Sequence, residues 1–90
     1  MDHHRPAPRV LSTTVGAEAV LMDTESGVYF GLNEVGARIW RLLSEHRSPQ
    51  VIATILVDEY DVDAAAAEGD VRRLIAELQA KGLLERSATE

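Results

Sequence analysis

Leu21-Met-Asp-Thr-Glu-Ser-Gly-Val-Tyr-Phe-Gly-Leu-Asn-Glu-Val-Gly-Ala-Arg-Ile-Trp-Arg-Leu-Leu43 changes its repeat once, and that change decides the fold. Up to Leu32 the chain reads as extended. Glu18-Ala-Val-Leu-Met-Asp23 and Val28-Tyr-Phe-Gly-Leu32 are short apolar runs separated by Thr24-Glu-Ser-Gly27. Those four are turn residues ending in a glycine able to take positive φ, so the two runs predict a hairpin. At Asn33 the period moves from two to about 3.6. Asn33 is a favoured N-cap, its side-chain oxygen accepting from N–H groups of the first turn. Val35, Ile39, Leu42 and Leu43 then share one face with Trp40 beside it, which predicts a helix over 34–45.

Upstream of the hairpin, Val10-Leu-Ser-Thr-Thr-Val15 is rich in β-branched residues and predicts a first strand, punctuated by Gly16. Residues 1–8 are polar and carry prolines, and are expected to be a flexible tail. Downstream, Ser48-Pro49 pairs a cap with proline at the first helical position. The helix it opens carries Ile52, Ile55, Leu56 and Tyr60 on one stripe. Asp61 or Asp63 caps a third helix, where Ala67, Val71, Leu74, Ile75 and Leu78 repeat at helical spacing. Lys81-Gly82 stops it, and Leu83 and Leu84 are expected to fold back onto the core. The expectation is an α+β winged helix-turn-helix: three short antiparallel strands, then three helices, in one domain over 9–86 with a C-terminal tail at 87–90.

The charge excludes one class that this architecture invites. A DNA-binding winged helix turns its third helix and the turn before it toward phosphate, and needs basic residues there. Here Asp58, Glu59, Asp61, Asp63, Glu68 and Asp70 fall in that stretch with no Lys or Arg, and the chain carries a net charge of −6. Arg72 and Arg73 do not offset them. Catalysis has as little support. There is no cysteine, and no serine or aspartate sits in a strained elbow or phosphate loop. His3 and His4 are two ligands on a tail, which do not make a metal site. No catalytic residue, metal or cofactor is expected. No apolar run approaches the roughly 20 residues that span a bilayer, and the first residues lack a signal-peptide core. A cytoplasmic location is the default expectation.

The quoted stretch resembles the hallmark region of PqqD-like proteins, where a short hairpin runs into Leu-Asn and a helix bearing Gly-Ala-x-Ile-Trp, here Gly36, Ala37, Ile39 and Trp40. Asp70-Val-x-x-Leu-Ile-x-x-Leu-x-x-x-Gly-Leu-Leu84 is similar to the family's third helix and terminal Gly-Leu. The resemblance covers about Val10 to Glu85. It implies a peptide chaperone that recognises the leader segment of ribosomally made precursor peptides, a RiPP recognition element. The free-standing form looks most like those of lasso-peptide biosynthesis. Its implied partners are a leader-cutting cysteine protease and an ATP-dependent cyclase. The alternatives are a sibling serving a radical SAM enzyme in quinone-cofactor synthesis, a DNA-binding winged helix, and a module that pairs with itself. A monomer or weak dimer is expected.

The resemblance further implies that the leader adds as an antiparallel strand to the third predicted strand, with side chains lodged against the third helix. Val28–Leu32 carries neither charge nor proline, the usual devices that blunt an edge strand, so as an edge it would be open to a guest. Ladder bonds are blind to sequence, so specificity needs a side-chain groove beside them. The expected contacts are Val28, Tyr29, Phe30 and Gly31 on the strand, with Asp70, Arg73, Leu74, Glu77 and Leu78 on the helix. Val71, Ile75 and Leu78 more often form plain core than a contact face, since a helix stripe must bury itself against something, and Asp70, Arg73 and Glu77 equally suit a solvated face.

Overall fold

The computed structural model describes residues 3–87, in the order β1 (His3–Pro6), β2 (Val10–Val15), β3 (Glu18–Asp23), β4 (Tyr29–Leu32), α1 (Glu34–Ser44), α2 (Pro49–Tyr60), α3 (Ala64–Ala80) and β5 (Leu84–Ser87). β2, β3 and β4 form an antiparallel sheet in that order, so β2 and β4 are its two edges. Gly16 and Gly27 make the two reversals at φ of 63° and 77°, a region that other residues enter at a cost. The register sets Leu21 against Phe30 and against Ser12. Alternation then turns Ala19, Leu21, Phe30 and Leu32 toward the helices, and Val20, Met22, Tyr29 and Gly31 away from them.

Each helix starts where its capping residue places it. Asn33 Oδ1 accepts from the Gly36 N–H at 2.8 Å, and Ser48 Oγ accepts from Val51 ahead of Pro49. Of the two aspartates that could open α3, Asp63 does so, accepting from Ala65 and Ala66. Asp61 closes α2 in the left-handed conformation, at φ 53°. The core lies between the inner sheet face and the three helices. Leu21, Ile39, Leu42, Leu43, Ile52, Leu56, Leu78 and Leu83 are all fully buried there. Trp40 is buried at its margin. Arg38 clamps α1 to α2 through both carboxylate oxygens of Glu59, at 2.8 and 2.7 Å.

The termini depart from expectation. His3–Pro6, read from the sequence as tail, pairs antiparallel with Leu84–Ser87 to form a separate two-stranded ribbon. The cause is the return of the chain after α3. Gly82 turns at φ 73°, Leu83 and Leu84 pack into the core, and the Leu83 carbonyl accepts from the Ala7 N–H at 3.0 Å. Arg9 fastens the junction, donating to Asp23 at 3.0 Å and to the Gly82 carbonyl at 2.7 Å. Ala7, also in the expected tail, is buried, and residues 1–2 and 88–90 of the expected tails lie outside the described residues.

Candidate functional site

The free edge of β4 can be read residue by residue. The Asp23 N–H donates to the Val28 carbonyl, which makes that pair a hydrogen-bonded one. In an antiparallel ladder such pairs alternate with unbonded ones. Phe30, opposite Leu21, and Leu32, opposite Ala19, therefore spend their backbone groups on β3. Tyr29 and Gly31 point theirs outward. Those two residues offer the N–H and C=O groups that a guest strand would take. Their side-chain positions lie on the outer sheet face, where Tyr29 is 68% exposed.

α3 packs mainly on α2 and β5, and a groove of about 280 Å³ lies between it and the start of α1, the helix that follows β4. The N-terminal end of α1 forms one side, with Asn33, Val35, Gly36 and Ile39. Asp70, Arg73, Leu74 and Glu77 of α3 form the other. Asp70 and Arg73 neutralise each other through a bond of 2.8 Å. Phe30 is half-buried at the strand side, with the Lys81 ammonium 5.6 Å from its ring centroid.

Of the nine residues singled out in the sequence, the structure gathers four in this groove: Asp70, Arg73, Leu74 and Glu77. Tyr29 and Gly31 stand at the open edge, and Phe30 packs half-buried against the core. Val28 precedes β4, with its side chain exposed and its carbonyl already bonded to Asp23. Leu78 does not reach the groove. It is completely buried in the core. Val71 and Ile75 are buried as well, so Leu74 alone supplies the apolar floor on this side. Val35 and Ile39 complete that floor and were read only as helix-face residues. Helical period marks an apolar face without marking where its cover ends.

An open strand edge, followed in the chain by the wall of an apolar-floored, charge-rimmed groove, defines a small α+β binding domain of winged-helix type. The chain belongs to the PqqD family: residues 18–84 match the family model described as coenzyme PQQ synthesis protein D. No curated protein matches it. Two solved structures are similar over nearly their whole length. TbiB1 in complex with the TbiA(beta) leader peptide is 39% identical, with a TM-score of 0.86, covering 94% of this chain and 99% of that one. Lasso peptide synthetase B1 complexed with the leader peptide is 31% identical, with a TM-score of 0.85, covering 92% and 98%.

Proposed function

We propose that this protein binds the leader segment of a precursor peptide as an added strand on β4, its side chains entering the groove along α3, and presents it to maturation enzymes. The observation that carries the reading is the pair of outward backbone groups at Tyr29 and Gly31 on a strand that runs straight into Asn33, the first residue lining the groove. Main-chain bonds give such a complex affinity and the side-chain pocket gives it choice. Membership of the PqqD family supports leader binding. The identity to two leader-bound proteins over more than nine-tenths of the chain supports the lasso-peptide pathway over quinone-cofactor synthesis. The partners in this reading are the leader peptide, a leader-cutting cysteine protease and a cyclase, in the cytoplasm. The protein's part is binding rather than catalysis.

The winged-helix shape does not make it a DNA reader. Asp58, Asp61, Asp63 and Glu68 are exposed on and before the N-terminal half of α3, where phosphate would have to approach. No helix among the described residues is long and apolar enough to cross a membrane.

Fluorescence anisotropy tests the reading. A labelled leader peptide from the accompanying precursor should bind saturably and lose binding when its sequence is scrambled. A labelled duplex should not bind at all. Salt-sensitive duplex binding with an indifferent leader would reverse the assignment.

A further inference from the structure

β4 is only one of the two edges of the three-stranded sheet. The Thr24 N–H donates to the Arg9 carbonyl, so Arg9, Leu11, Thr13 and Val15 turn their backbone groups toward β3. Ser12 and Thr14 turn theirs away. β2 pairs with β3 alone, its register is unbroken, and Val10-Leu-Ser-Thr-Thr-Val15 contains no charge and no proline. Proteins ordinarily blunt an edge of this kind. Beneath it lies a cleft of about 120 Å³ between β2 and α1, lined by Ser12, Thr14, Ala37, Trp40, Arg41 and Ser44. The open β2 edge thus has a helix wall directly beside it.

The chemistry of an occupant can be read from the two faces of β2. On the outer face, Leu11 is 57% and Val15 61% exposed, and both would be covered by apolar side chains of an added strand. On the inner face, Arg41 is the only charged residue lining the cleft. Among the described residues it forms no ion pair. Glu59, whose carboxyl feels its charge, has both oxygens engaged by Arg38. A second copy of this chain pairing β2 with β2 would bring no acid on that strand and would join two chains of charge −6.

We propose that the β2 edge is a second strand-addition site, occupied by an extended segment of a maturation enzyme. In that segment apolar residues alternate with polar ones, and an acid among the polar ones sits over Arg41. The proposal rests on β4 being the leader's edge. It makes the three-stranded sheet a bridge, with leader on one side and enzyme on the other.

Two variants separate this site from the leader site. Thr14→Pro removes an outward N–H and spares the β3 ladder, the placement at which an edge strand accepts proline. Arg41→Glu reverses the charge of the cleft without touching the strand. The full chain, with and without leader, is titrated with the purified leader protease and separately with the cyclase. Amide exchange is followed at Ser12 and Thr14, and the oligomeric state by sedimentation. At least one enzyme should protect those two amides. Both variants should lose affinity for it by about tenfold or more while leader affinity stays within about twofold. If Thr14→Pro melts early, Arg41→Glu decides. Protection by neither enzyme, wild-type enzyme affinity in Arg41→Glu, or a wild-type dimer that Thr14→Pro dissolves would overturn the proposal. Failure of the leader itself to bind would count against the β4 reading alone, since enzyme protection of β2 is measured without leader too.

Discussion

Leu74 and Leu78 stand one turn apart on α3 and do different work. Leu78 is completely enclosed, so Leu78→Ala leaves a cavity and should destabilise the fold by about 2–5 kcal/mol in denaturant titrations. Leu74 is half-buried at the groove floor. Leu74→Arg should weaken leader binding by about tenfold or more while the circular dichroism spectrum stays unchanged. Equal loss of affinity in both variants, at equal folded fraction, would argue against the groove. Sequence period puts both leucines on one stripe, and its core reading of Leu78 agrees with the burial, which leaves Leu74 at the margin. Asp23 and Glu59 both contribute to the pH dependence. Burial raises the pKa of Asp23, but the N–H groups of Glu25 and Ser26 and the Arg9 guanidinium outweigh burial and hold the carboxyl below its ordinary 3.8. The Arg38 hydrogen bonds likewise hold Glu59 below 4.5, against the opposing effect of burial. A carboxylate with a lowered folded pKa stabilises fully above its unfolded value and loses that contribution as pH falls through the folded one. Melting temperature should therefore hold steady from pH 7 down to about 5 and fall below about 4, less steeply in Asp23→Asn.

Among the elements, β4 makes the sharpest distinction. Tyr29→Pro deletes an outward N–H and should abolish leader binding with the fold intact. Phe30→Pro deletes a bond to Leu21 and should unfold the sheet edge itself. The hairpin, the Asn33 cap and the three helices were legible because each is announced within a few residues, by turn chemistry, a capping side chain or a change of period. The β1–β5 ribbon was not. His3-His-Arg-Pro6 has no apolar alternation, and its partner strand starts at Leu84, the far end of the chain. Nothing local marks such a strand. Deleting residues 1–6 removes the ribbon and should lower stability by roughly 1–3 kcal/mol, the worth of a few ladder bonds, while leader affinity is kept at low temperature.

At the scale of the whole molecule, charge and topology separate the functions a winged helix can have. The acid block on and before α3 and a net charge of −6 favour a partner that is not a polyanion. Leader binding built on ladder bonds and an apolar floor should change little between low and physiological salt, whereas phosphate contacts would lose affinity steeply. The sheet presents two chemically different edges, and the leader should choose only one. Amide hydrogen exchange across both edges, with and without bound leader, tests that choice directly. Slower exchange at Tyr29 and Gly31, with Ser12 and Thr14 unaffected, is the result expected of a leader strand added to β4. Unchanged exchange at Tyr29 and Gly31 under saturating leader, or protection confined to Ser12 and Thr14, would contradict it.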